Sequence, residues 1–307
     1  MILFEKVAVI GAGLLGSSLA WALRKRRMCA SVSAWSRSAS TREKCAAAPW
    51  CDEVCETPAA AVCGADLAVF AAPAPAIPGL ARETAPFMKP GALATDVGST
   101  KASIARGCAE AFAESPAHFV PSHPMAGSEK SGPENADPDL FERAACFVCA
   151  PGDSPHAQKI AQMWEGVGMR VEFTDPETHD RIAAAISHIP QCAASALAVL
   201  ALENPEWFEK FAGNGFRDTT RIAKSDTGMW LGIFSENAEN ISAGLREYAR
   251  KIMELSDAIA RRDAASQAAF LDAARGMRLR LDTPETRPEG RLQAAKGAEN
   301  QTGKPHI

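Results

Sequence analysis

The segment Ser122-His123-Pro124-Met125-Ala126-Gly127-Ser128-Glu129, closed by Lys130-Ser131-Gly132, gathers an imidazole, hydroxyls, a carboxylate and glycines into one short stretch. Pro124 excludes helix and pushes His123 extended, so the segment reads as a loop that presents groups. An imidazole changes charge near neutral pH and, once positioned, serves as a general acid or base. A lone His on a surface turn is the alternative reading, and company weighs against it. Gly11-Ala12-Gly13-Leu14-Leu15-Gly16 lies near the start of the chain, Asp96-Val97-Gly98-Ser99-Thr100-Lys101 precedes the His123 loop, and Thr220-Arg221-Ile222-Ala223 follows it far downstream.

These groups can act together only if strands and helices bring them to one cleft. Residues 6–10 are a short apolar, partly β-branched run, as a strand buried on both faces requires. The glycines follow directly, and 17–25 reads as helix with Leu15, Leu19, Ala22 and Leu23 on one side. In that context the glycine pattern is a dinucleotide fingerprint of a Rossmann-type, doubly wound α/β domain. Gly11 permits the tight turn, Gly13 lets a pyrophosphate approach the backbone, and Gly16 lets helix and strand close up. The N–H groups at the helix start, around Leu14 and Leu15, hold the phosphates.

The second strand, 30–35, ends where an NAD site usually carries an acid to read the ribose, and here Ser36-Arg37-Ser38 stands instead. A guanidinium between hydroxyls suits a 2′-phosphate, so NADP is the expected cofactor, with NAD as the other candidate. The alternative is a solvated Arg37 and a site that takes either. Residues 65–73 form a further buried-strand pattern whose end, Ala72-Pro73, faces the cofactor, and 93–97 repeats it before Gly98-Ser99. His123 follows the strand at 119–121. Ser99 and His123 thus come from neighbouring strand ends, where open parallel sheets bind their ligands, and both reach the nicotinamide end of the cleft.

Bulk properties narrow the partners. At 307 residues the chain has room for two cores, since single cores stop growing near roughly 250 to 300 residues. A net charge of -4 and a pI near 5.9 make no electrostatic case for nucleic acid or anionic membrane, so the partner is a small molecule. The 9 Cys lack the paired spacing and His partners of a zinc site, and no metal is expected. They read as reduced core fillers of a cytoplasmic protein. The apolar 7–23 run is preceded by Glu5-Lys6 and followed by Arg24-Lys25-Arg26-Arg27, the reverse of a secretory leader.

Residues 141–150 read as strand, 154–167 as helix and 170–174 as a last strand. From residue 175 the alternating pattern stops, which divides the chain into an NAD(P)-binding domain (1–175), an all-α domain (176–281) and a tail (282–307) too poor in apolar residues to fold. Residues 176–180 start a helix that is apolar nearly all round to 202, apart from Ser187, His188 and Gln191. Pro190 removes the N–H that would bond to Ile186, so a kink is expected beside His188. His188 and Gln191 share a face. Ile241, Leu245, Tyr248, Ile252, Leu255 and Ile259 form one seam along a later helix, and the seam calls for another helix, from this chain or a second copy. A homodimer through the helical half is expected.

The glycine fingerprint, Asp96 to Lys101, the His123 loop, Ser187-His188-Ile189-Pro190, Gly215-Phe216-Arg217-Asp218 and the Thr220-Arg221-Ile222-Ala223 segment, in this order, resemble the prephenate and arogenate (cyclohexadienyl) dehydrogenases of tyrosine biosynthesis. The resemblance runs over residues 6–262. It implies oxidation of a cyclohexadiene C4 alcohol by hydride transfer to NAD or NADP, with loss of the ring carboxylate as CO2. It assigns His123 as the catalytic base and Ser99 as the Ser that orients it. It also assigns Arg221 as the anchor of a substrate carboxylate, with Ser128, His188 and Trp230 lining the pocket. Some members carry a second His where this chain has Gln191, beside the substrate side chain, so both prephenate and arogenate stay open as substrates. More distant alternatives are a 3-hydroxyacid or 6-phosphogluconate-like dehydrogenase, with Lys224 as its catalytic group, and a non-catalytic NADP-binding protein. With His123 as base, activity is expected to fall below a pKa of roughly 6 to 7.

Overall fold

The computed structural model describes residues 2–127 and 130–281. Parallel strands β1 (Phe4–Ile10), β2 (Cys29–Trp35), β3 (Glu53–Val54), β4 (Leu67–Phe70), β5 (Leu93–Asp96) and β6 (His118–Val120) form a 6-stranded sheet in the order β3-β2-β1-β4-β5-β6. That is the expected Rossmann order, with its switch point between β1 and β4. The crossovers carry α1 (Leu14–Lys25), α2 (Ala39–Ala46), α3 (Pro58–Val62), α4 (Ile77–Thr84) and α5 (Ala102–Phe112).

The unbroken apolar run of β1 follows from burial on both sides. Val7 and Val9 join the core that holds Leu19, Leu23, Ile160 and Trp164, while Ala8 and Ile10 join the opposite core with Ile77, Ile104 and Cys108. Alternation by two sends successive side chains into different cores, so no polar position is left over Val7–Ile10.

A second, 3-stranded sheet holds β7 (Ser122–Pro124), β8 (Ala145–Val148) and β9 (Arg170–Phe173), with α6 (Pro155–Gly166) between β8 and β9. β7 runs antiparallel to β8, with His123 opposite Phe147. The first residues of the expected presenting loop are therefore a strand. Pro124 is tolerated there because β7 is an edge, where one missing donor breaks no ladder on the open side.

The helical part follows as α7 (Pro176–Ala183), a π-helical turn (Ala184–His188), α8 (Ile189–Leu200), α9 (Pro205–Phe211), α10 (Asn214–Thr220), α11 (Thr227–Glu236), α12 (Ala238–Ala260) and α13 (Ala264–Leu281). Asp175 caps α7 by accepting from the Thr178 N–H at 2.7 Å, and Pro176 fills the first turn. At Pro190 the helix carries on through the π turn just before it. The wider turn absorbs the donor that proline lacks, and π turns of this kind gather at functional sites.

The chain divides into two compact units, the first ending at Ser242 and the second beginning at Ala243. In the second, Asp263 caps α13 by accepting from the Ser266 N–H at 3.1 Å, and Gln267 donates to the Ala258 carbonyl at 3.0 Å. The 282–307 tail lies outside the described residues. Among the described residues, Pro176–Glu203 is the one helix long and apolar enough to cross a membrane. It carries His179, Asp180, His188 and Gln191 as buried residues, while Ile186, Val199, Leu200 and Leu202 stand exposed.

Candidate active site

The nucleotide end is built from the first crossover. Gly11 sits at φ +100°, and a Cβ there would lie 2.7 Å from the Ala72 nitrogen, so only glycine lets β1 and the end of β4 meet. A Cβ on Gly16 would come within 2.8 Å of Val9 and 2.9 Å of Ala71, which forces α1 against the sheet. Around Gly13 there is open space instead. Gly13 is also the N-cap of α1, with no side-chain cap and no acid in the first turn, so the N–H groups beginning at Leu14 and Leu15 face a clear anion site. These residues fit a bound dinucleotide.

Beyond β2, Ser38 caps α2 by accepting from the Thr41 N–H, and its hydroxyl lies 2.8 Å from that of Ser40. Arg37 is exposed, and among the described residues no ion pair engages its guanidinium. Arg42 holds this loop in shape, donating to the Ser36 carbonyl at 2.9 Å and pairing with Glu56 at 2.9 Å. Ala72 is half-buried and Pro73 exposed after β4, beside the Gly11 turn.

At the carboxyl ends of β5 and β6 the polar groups are buried. Lys101 pairs with Asp96 and donates to the Ser122 carbonyl at 2.8 Å. Asp96 accepts from the Gly98 N–H at 2.9 Å and from the Ser122 N–H at 3.2 Å. One carboxylate therefore ties the backbone beside Ser99 to the backbone beside His123. The Ser122 hydroxyl donates to the Asp96 carbonyl at 2.7 Å and accepts from the Trp164 indole at 3.0 Å.

His123 is 8% exposed, and its Nδ1 lies 2.8 Å from Nε2 of His179. His179 Nδ1 lies 2.9 Å from the Asp180 carboxylate, and the Phe147 ring meets His179 edge-on at 5.2 Å. Ser99 is half-buried after β5, and the partner at Nδ1 of His123 is His179. Burial, then the neighbouring His179, Lys101 and His188, push the His123 pKa well below its ordinary 6.5. The acid limb expected from an ordinary imidazole, at roughly pH 6 to 7, is thus corrected downward, because burial disfavours the imidazolium.

His188 and Gln191 are both buried, as their shared face requires. His188 Nδ1 lies 3.3 Å from the Asn237 amide, which also donates to the Asp180 carbonyl at 2.8 Å. Burial lowers the His188 pKa to about 4. Trp230 meets His188 edge-on at 5.9 Å, and its indole N–H is buried without a partner among the described residues. Gln191 donates to the Ser195 hydroxyl at 3.4 Å. Arg221 opens the 3-10 turn Arg221–Lys224 after α10 and is exposed; among the described residues no ion pair joins it to Asp218 or Asp226. Ser128 lies outside the described residues.

Sequence reasoning missed His179, Asp180 and Asn237. His179-Asp180 was legible only as helix-start chemistry, although an adjacent His and Asp just after a cap are also a local hydrogen-bonding pair. Asn237 carries no sequence signal at all. Among the described residues no cluster of His, Cys, Asp or Glu could hold a metal, and all the cysteines are free.

Residues 19–173 match the family model described as prephenate dehydrogenase, nucleotide-binding domain, and 175–273 match prephenate dehydrogenase, dimerization domain. The chain belongs to the prephenate dehydrogenase family. Membership makes it an NAD(P)-dependent oxidoreductase and sets aside the non-catalytic reading. It is 31% identical to the cyclohexadienyl dehydrogenase of Zymomonas mobilis over 86% of this chain and 91% of that protein. Among solved structures it resembles the prephenate dehydrogenase of Aquifex aeolicus in complex with hydroxyphenyl propionate and NAD+, with a TM-score of 0.83 and 27% identity over 90% of this chain and 98% of that one. It also resembles Synechocystis arogenate dehydrogenase, with a TM-score of 0.77 and 25% identity over 90% and 99% of the two chains. Membership sets aside the hydroxyacid-dehydrogenase alternative as well.

Proposed function

We propose that this chain oxidises prephenate to 4-hydroxyphenylpyruvate and CO2, with NADP preferred over NAD. The observation that carries the reading is a buried His123, bonded to His179 just past the carboxyl end of β6, in a chain that belongs to this family along both halves. His123 takes the C4-hydroxyl proton, which raises electron density on that carbon as hydride leaves. The Gly11–Gly16 turn would hold the pyrophosphate of a bound dinucleotide, whose nicotinamide would supply the hydride acceptor. Aromatisation then drives decarboxylation. Ser99 is the second polar group at this end of the cleft, and Arg221 binds a substrate carboxylate as a charge-assisted fork. His188, Gln191 and Trp230 line the pocket, with Ser128 from the segment beyond β7.

The NADP preference rests on Arg37, which stands exposed between Ser36 and Ser38 with no ion pair among the described residues. A homodimer through the helical half is supported by the apolar side chains that a single chain leaves exposed, Val199, Leu202 and Leu231 in the first unit and Tyr248, Ile252 and Ile259 in the second. Free thiols throughout suit a cytoplasmic protein. Arogenate is the second reading, kept open by the buried neutral amide of Gln191, which can serve a keto acid or an amino acid.

The deciding experiment measures initial rates of the purified protein with prephenate and with arogenate, each against NAD and NADP. The highest kcat/KM is expected for prephenate with NADP. Higher kcat/KM for arogenate transfers the assignment to the second reading, and no oxidation of either cyclohexadiene overturns both.

A further inference from the structure

The hydrogen bonds behind His123 decide which of its nitrogens carries a proton. Asp180 accepts from the Lys101 N–H at 2.7 Å and from the Ala102 N–H at 3.0 Å, both at the start of α5, which are the contacts of an ionised carboxylate at a helix N-terminus. Burial pushes the Asp180 pKa up, but the hydrogen bond from His179 and those from Ala102 and Lys101 outweigh it, and the carboxyl stays below its usual range. Facing that carboxylate at 2.9 Å, His179 Nδ1 must donate. Burial also keeps His179 below its ordinary pKa, so the ring is neutral and Nε2 carries the lone pair. That lone pair meets His123 Nδ1 at 2.8 Å, and Nδ1 must therefore donate as well.

We infer that His179 and Asp180 are positioning residues that hold His123 as its Nδ1–H tautomer, leaving Nε2 as the basic nitrogen. The inference rests on the reading that His123 is the base. The opposite tautomer would set the His179 Nδ1 lone pair against the Asp180 carboxylate, acceptor to acceptor, and would turn His123 Nε2 into a donor unable to take a proton. When Nε2 takes the C4-hydroxyl proton, no covalent bond to Nδ1 changes. The new imidazolium keeps its Nδ1–H on the His179 lone pair, and the Asp180 charge lies one ring away. A buried imidazole that must become cationic needs such a counter-charge, since desolvation alone opposes it.

The geometry also explains an arrangement that packing alone does not require. Asp180 is fixed from the α5 side by backbone donors, and its own carbonyl accepts from Asn237, so the carboxylate that sets the tautomer cannot rotate away. The precision of the relay comes from three different elements, α5, α7 and α11 with its following residue Asn237.

The test uses His179→Met, His179→Gln and Asp180→Asn in the full chain, read by kinetics and by the 15N chemical shifts of His123. His179→Met removes the acceptor, and kcat is expected to fall about 10²- to 10⁴-fold, the range for losing a correctly protonated base. KM and the NADP dissociation constant should stay within about threefold. His179→Gln offers a carbonyl oxygen to Nδ1–H and should recover about tenfold or more of the loss. Asp180→Asn should shift the His123 nitrogen signals toward the Nε2–H form; if that variant does not fold, the His179 pair still decides. Retention of kcat within about threefold in His179→Met, or an Nε2–H signature in the unmodified protein, overturns the inference. The nitrogen shifts need no substrate. An Nδ1–H signature in a protein that oxidises no cyclohexadiene would overturn the proposed function and leave the positioning role standing.

Discussion

Lys101 sets its ammonium on the Asp96 carboxylate with neither side chain exposed to solvent. The pair joins the end of β5 to β7 through the Gly98 and Ser122 backbone, so it fixes the ground on which Ser99 and His123 stand. Removing one partner strands a charge in the core, which typically costs about 3 to 5 kcal/mol. Lys101→Met is therefore expected to lower the melting temperature by roughly 10 °C. Adding Asp96→Asn in the same background should recover part of the loss, because the amide drops the charge and keeps an acceptor. Thermal unfolding followed by circular dichroism checks both.

Much of this framework was legible in the sequence, and the reasons differ by residue. Gly11 and Gly16 announce themselves because only glycine satisfies a positive φ against Ala72 or a helix pressed on Val9. β1 and β4 read as buried strands because both their faces meet apolar cores. Ser122–Pro124 read as a loop because three residues carry too little alternation to betray a strand whose partner lies at Ala145–Val148. The His123–His179 bond spans 56 residues, and no local pattern encodes a contact made by tertiary packing. His188 and Gln191 are both buried, and their spacing was legible on a helix that is otherwise almost wholly apolar.

Buried neutral imidazoles make the protein acid-sensitive. Folding holds His123, His179 and His188 below their ordinary pKa of 6.5, by burial in each case, His188 to about 4. The unfolded chain then binds more protons than the folded one below pH 6.5, so stability falls as the pH drops through that window. Each fully buried ring contributes up to about 1.4 kcal/mol per pH unit. Asp180, with its pKa lowered, adds a loss only at still lower pH, as its carboxylate is protonated. Turnover should persist to lower pH than an ordinary imidazole allows. Melting temperatures between pH 7.5 and 4.5, set beside kcat over the same range, test this: a melting temperature flat across the window contradicts it.

The proposed NADP preference rests on Arg37. Arg37→Ala should weaken NADP by about ten- to a hundredfold, as expected for loss of a charge-assisted contact worth about 1.5 to 3 kcal/mol. NAD should change little. KM values for both cofactors with one substrate measure it, and equal loss for the two would show that Arg37 does not read the 2′-phosphate.

The helical half leaves Tyr248, Ile252 and Ile259 of α12 exposed in a single chain, together with Val199 and Leu202. The proposed homodimer is expected to appear in light scattering at micromolar protein. Ile252→Glu should shift that dimer toward monomer, since a charge at the centre of an apolar seam would be buried unpaired. A monomeric parent protein would remove the seam from this role.

Arg221 separates binding from chemistry. Its guanidinium is exposed, and among the described residues neither Asp218 nor Asp226 forms an ion pair with it, so it braces nothing near its own turn. Arg221→Ala should therefore leave the melting temperature within about 2 °C of the parent value, as for other surface substitutions. If the guanidinium holds a substrate carboxylate in ground and transition states alike, KM rises with kcat little changed. A charge-assisted fork lost from a partly dry pocket is worth about 2 to 5 kcal/mol, which corresponds to a KM rise of roughly thirtyfold or more. Lys should restore only part, because a point charge cannot reproduce two parallel N–H donors. An alanine variant that melts much earlier and binds substrate normally would make Arg221 a structural residue instead.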